Sequence, residues 1–169
     1  MLRPTLGDFS SIICFKAAIR GMEEALGEKA TAIALISAGR SRGKQLAQEL
    51  VLVNTNLPLD DVVSKIGLAL GKNGTRLCII EQVKQEGDTI KIFVSDTLCS
   101  AGETPGSTRK STYTLGAIWG ALEQATGKRL VGKHTESVLR GSSYDVFEFT
   151  ELSINRKADL DGDDKQQIA

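Results

Sequence analysis

The chain has 169 residues, 41% of them hydrophobic, and its 21 basic residues cancel 21 acidic ones. A chain of this size forms one domain and buries roughly 70% of its extended surface. Zero net charge leaves no global field to draw it to nucleic acid or an anionic membrane. Three cysteines, Cys14, Cys78 and Cys99, are an odd number without motif spacing, which points to a reducing compartment, the cytoplasm.

The N-terminal stretch carries no cleavage-site pattern and reads as no signal peptide. Apolar runs fall far short of the ~20 residues needed to span a bilayer, so a transmembrane segment is not expected; a peripheral membrane contact stays open.

Between Asp8 and Leu26, Phe9, Ile12, Ile13, Lys16, Ile19 and Met22 follow three-and-four spacing, predicting an amphipathic helix stopped by Gly27. A second, longer helix is predicted over Lys29 to Leu52. Its apolar stripe contains Gly39, Gly43 and Ala47 at four-residue spacing. Glycine inside a helix costs about 1 kcal/mol relative to alanine, so this face is a contact surface that another backbone approaches closely. Either the first helix or a second chain supplies that backbone. Leu59 to Gly71, after a proline and with Asp60 and Asp61 at its start, predicts a third helix.

Arg76 to Val83 and Thr89 to Val94 then read as two antiparallel strands around a Lys84–Asp88 turn. Ser95 to Ser111, rich in glycine and hydroxyl residues, reads as a long loop of the kind that often carries function. A fourth helix is predicted over Thr112 to Thr126, then strands over Arg129 to Leu139 and Tyr144 to Phe149. The order ααα-ββ-α-ββ argues for an α+β domain over residues 1–150, a four-stranded antiparallel sheet packed against helices. Residues 151–169, with Asp159, Asp161, Asp163 and Asp164, read as an acidic, disordered tail.

Several segments together, Leu26–Ala30 (LGEKA), Ala38–Ala47 (AGRSRGKQLA), a loop bearing Cys99, the Gly116–Gly120 GxxxG turn of helix, and a hairpin running from Glu136 to Phe149, resemble the vinyl-4-reductase, or hydrocarbon-binding, domain family. The resemblance covers most of residues 8 to 150. It implies a fold like that of the TRAPP transport-particle subunits, a twisted antiparallel sheet and helices enclosing an apolar channel, and dimerisation through helices. It further implies a pocket for an acyl chain, isoprenoid or tetrapyrrole, for which Cys14, Phe15, Ile36, Cys78 and Trp119 are the candidate lining. Many members carry metal-binding cysteines in the last hairpin, at places matched here by Leu139 and Phe147. Those thiolates are missing, and His134 with Glu136, which share a face if the strand is regular, fall short of the four ligands of a structural zinc. No metal is expected, and no cofactor can be named.

Other patterns fail on spacing. Arg40 to Lys44 lacks the glycine and hydroxyl of a phosphate loop and lies mid-helix, although an anion contact at the arginines stays open. Asp159 to Asp164 has no glycine at the sixth position of a calcium loop. His134 has no serine or cysteine in a nucleophile elbow to serve, and no dinucleotide fingerprint accompanies it. The leading expectation is therefore a non-enzymatic, dimeric domain that binds a small hydrophobic molecule as a sensor, scaffold or assembly factor. Gly39, Gly43 and Ala47 are expected to make a dimer or helix contact; Arg40, His134 and Glu136 are separate candidates for polar contacts. Two alternatives stand beside it: an enzyme or enzyme subunit of tetrapyrrole 4-vinyl reduction, and an interaction module without ligand.

Overall fold

The computed structural model describes residues 3–5 and 7–152; the tail expectation lies almost wholly outside them. Helix α1 spans Ile12–Leu26, α2 Glu28–Glu49, α3 Leu59–Leu70 and α4 Thr112–Thr126. Strands β1 (Ile79–Glu86), β2 (Thr89–Ser95), β3 (Leu130–Glu136) and β4 (Asp145–Glu151) form one antiparallel sheet in the order β1-β2-β4-β3. The architecture is α+β, as the element order implies.

Boundaries differ from the expected ones for local reasons. Ser11 accepts a hydrogen bond from the Ile13 N–H at 3.2 Å, so α1 begins after it and not at Asp8. The chain turns at Val51 with φ of 55°, which ends α2 short of Leu52. Arg76 has φ of 55°, a value no strand holds, and β1 starts only at Ile79. At its other end β1 runs through Glu86, because Gly87 adopts φ of 59° and allows a two-residue turn. Beyond β3, Ser137 caps a short 3₁₀ turn at Val138–Arg140, which replaces the predicted end of that strand.

Helix α4 is the spine of the domain. One side meets the sheet, where Ile118 and Leu122 pack with Ile92, Phe147 and Phe149 in a core that leaves each at most 1% exposed. Burial of each such side chain stabilises by about 1.5–3 kcal/mol. The other side meets α2 backbone to backbone. A Cβ added at Gly39 would stand 2.3 Å from the Tyr113 carbonyl oxygen, and one at Gly43 2.0 Å from that of Ala117. The contact is reciprocal: at Gly116 and Gly120 the intruding oxygens belong to Ile36 and Arg40, at 2.4 and 2.1 Å. The glycine face of α2 thus closes on α4 of the same chain, with Ala47 fully buried, and neither on α1 nor on a second copy.

Helix α1 is held differently. It leaves α2 at the single residue Gly27, and Ile19 is its one buried residue. Ile12, Ile13 and Cys14 face solvent.

Candidate functional site

Strand alternation puts Ile90, Ile92 and Val94 of β2 opposite Phe149, Phe147 and Asp145 of β4. Asp145 is thus an acid on an apolar face, where an unpaired carboxylate would cost several kcal/mol. It is fully satisfied. His134 lies across the β3–β4 register, opposite Phe147, and its Nε2–H donates to Asp145 Oδ1 at 3.1 Å. The Val138 N–H donates to the same oxygen at 3.2 Å. Asp145 Oδ2 accepts from the hydroxyls of Thr97 and Ser111 at 3.1 and 3.4 Å. The side chains of His134 and Asp145 are each 1% exposed. Burial opposes the charge on Asp145, but the hydrogen bonds of His134, Ser137 and Thr97 outweigh it and hold the carboxyl below its usual range.

The Ser111 backbone N–H, at the start of α4, donates to His134 Nδ1 at 3.2 Å. This places the imidazole proton on Nε2 and occupies both ring nitrogens. Ser111 Oγ is bonded toward Asp145 and Thr97 and not to the ring, so the group has no nucleophile–base pair of the serine-hydrolase type. What it does is fix geometry. Thr97 and Ser111 are the two ends of the loop between β2 and α4, and both are fastened to one carboxylate.

The middle of that loop is fastened to α1. Lys16 Nζ donates to the Ala101 carbonyl at 2.6 Å and to Glu103. Arg109 grips Glu23 with two parallel bonds of 2.7 and 2.8 Å, and its Nε lies 2.9 Å from Glu103, out of line for a hydrogen bond. For Glu103, partial burial is outweighed by the Lys16 bond and the Arg109 charge, and its carboxyl also sits below the usual range. Open grooves flank the tether. One of about 400 Å³ runs between the start of α2 and residues 103–112, and one of about 550 Å³ along Ile12, Ile13, Ala17 and Gly102.

The expected pocket residues do not converge. Cys14 is exposed on α1, Phe15 stacks edge-on against Tyr113 with centroids 5.5 Å apart, and Ile36 is half-buried on α2. Cys78 lies in the core, its thiol pushed up to about 12 by burial. Trp119 sits further along α4, edge-on to Phe149, with its Nε1–H on the Leu130 carbonyl and Arg40 over its ring. None of the five lines any of the four main grooves. His134 and Glu136 do not share a face. A β-bulge between them brings Glu136 opposite Val146, one residue from the partner of His134, and leaves Glu136 exposed on the outer side. Among the described residues no group of three potential metal ligands occurs. No helix among them is long and apolar enough to cross a membrane.

No family model matches the chain, and no curated protein matches its sequence. Among solved structures it is similar to the crystal structure of the phenol-responsive sensory domain of the transcription activator PoxR with phenol. The TM-score is 0.65 at 10% sequence identity, over 86% of this chain and 76% of that one. The likeness is one of fold, and the site residues of this chain must be read from its own geometry.

Proposed function

We propose that this domain binds a small, mostly apolar molecule carrying one hydrogen-bonding group, and that α1 and the 96–111 loop report its presence. One observation carries the reading. The loop has both ends on a buried carboxylate and its middle on a helix that is held by ions, one fully buried side chain and the Phe15–Tyr113 ring contact. A ligand hydroxyl that replaces Thr97 or Ser111 at Asp145 displaces the loop, and the Lys16 and Arg109 tethers pass that displacement to α1. Regions with few buried contacts open at low free-energy cost, which suits a cover.

The interior favours a small ligand over a tetrapyrrole or a long chain, since Ile92, Leu122, Phe147 and Phe149 have no exposed surface. The phenol in the structurally similar sensory domain is in keeping with a single ring. The resemblance to hydrocarbon-binding domains supports the same ligand class. A dimer fits as well: Ile13 on α1 and Ile33 on α2 are 77% and 62% exposed, apolar side chains that a second copy of this chain would cover.

Titration of isotope-labelled protein with phenol, and separately with decanoate, tests the reading by NMR. Saturable shifts are expected with at least one probe, concentrated in residues 97–111 and α1. Sedimentation of the same sample is expected to give a dimer that Ile13→Glu splits into folded monomers. Absence of saturable shifts with both probes would replace the sensor by the ligand-free interaction module.

A further inference from the structure

We propose a second site, independent of the first: the groove between the middle of α2 and the end of α4 binds a small phosphate-bearing anion. The groove is about 400 Å³ and is walled by Arg40, Lys44, Lys128 and Arg129 with one acid, Glu123. In a chain with no net charge, four cations around one groove are a local excess.

That single acid is already used. Glu123 accepts Arg40 Nη2 at 2.6 Å and the Leu130 N–H at 3.0 Å, which holds Arg40 in place and leaves Lys44, Lys128 and Arg129 without an acid inside the groove. The Arg40 guanidinium also lies 4.4 Å over the Trp119 ring. It is fixed on two sides; its Nη1 makes no hydrogen bond, while its unbonded Nε is buried away from solvent. Lys44 and Arg129 have no partner among the described residues, and Lys128 reaches out to Glu151 at 2.7 Å.

Basic residues after a helix often serve its dipole. Here the closing carbonyls of α4 are taken by backbone: Glu123 by the Gly127 N–H at 3.0 Å, Gln124 by Asn54 at 3.0 Å and Ala125 by Thr55 at 2.9 Å. The dipole therefore gives little reason for the cluster. A pre-positioned guanidinium with an open Nη1, beside the unpaired Lys44 ammonium and Arg129 guanidinium, is the donor set of a phosphoryl oxyanion.

The test is calorimetric titration of the full chain with inorganic pyrophosphate at low ionic strength, beside the double variant Lys44→Gln/Arg129→Gln. Both substituted residues are exposed, so the variant should melt at the wild-type temperature. Saturable binding that weakens with added salt and drops at least tenfold in the variant supports the site. No saturable binding, or equal binding by the variant, overturns it. Vesicles of phosphatidylcholine doped with phosphatidic acid form the second arm. Sedimentation of the protein with these vesicles, without affinity for pyrophosphate, would make the groove a membrane contact and overturn the free-ligand assignment.

Discussion

Gly43→Leu is expected to yield no folded protein. A single added Cβ at this position stands 2.0 Å from the Ala117 carbonyl oxygen and 2.8 Å from the Ala121 nitrogen, so it meets backbone that no rotamer change can move. Overpacking a well-packed interior costs about 1–3 kcal/mol when side chains can adjust. Here two helices must separate, and the core that α4 shares with the sheet opens with them. Gly43→Ala should already cost about 3 kcal/mol or more, and leucine should exhaust the ~5–15 kcal/mol of a typical domain. Far-ultraviolet circular dichroism and urea melts read both variants. Gly21→Ala is the control. It lies on α1 with nothing within 4 Å of its Cβ, and it should be neutral or stabilise by up to about 1 kcal/mol. A folded Gly43→Leu protein that has merely lost a partner chain would contradict the intramolecular contact.

Asp145→Ala carries the second large effect, a loss of about 3–5 kcal/mol, since each buried donor left without its acceptor costs about 1–3 kcal/mol. The substitution strands the His134 Nε2–H and the Val138 N–H inside the protein and takes from Thr97 and Ser111 the acceptor they share. Asp145→Asn keeps one acceptor but turns an amide donor toward a ring of donors, and should cost about 1–3 kcal/mol. The carboxyl is held below its ordinary range when folded, so it contributes stability that is complete above its unfolded pKa of about 3.9 and is lost as the pH falls through the lower folded value. Wild-type stability should therefore fall on acidification through this range more steeply than that of Asp145→Asn, which has no proton to take up there. Parallel urea midpoints across the acid range would remove Asp145 from the account of acid sensitivity.

Much of the architecture was legible because periodicity is a local property. The four helices and the two hairpins follow from three-and-four spacing, alternation and glycine stops. The glycine stripe correctly announced a close backbone approach, but a repeat on one helix cannot say which backbone arrives. The complementary signal was present in Gly116 and Gly120, two glycines also four apart on the fourth helix, and the two sets mesh. The polar centre was missed for a related reason. Asp145, Phe147 and Phe149 alternate on one face of β4, and an acid at the first of these positions demands a buried partner; that was the available sign. His134 is named by the sequence, but its surroundings come from residues 97, 111 and 138, which only the tertiary fold collects. Glu136 was misplaced by one bulge, which turns it to the opposite face from His134.

The sheet order carries a consequence for how the chain is made. In β1-β2-β4-β3 the last strand in sequence is an interior one, hydrogen-bonded on both sides. Until residues 145–151 have left the ribosome, β2 lacks one neighbour, β3 lacks its only one, and α4 has no Phe147 or Phe149 to lie on. Folding during synthesis must therefore wait for this strand, however early α1, α2 and α3 form. At about 5–20 residues per second, the nascent chain spends seconds with two open strand edges exposed to chaperones and to its neighbours.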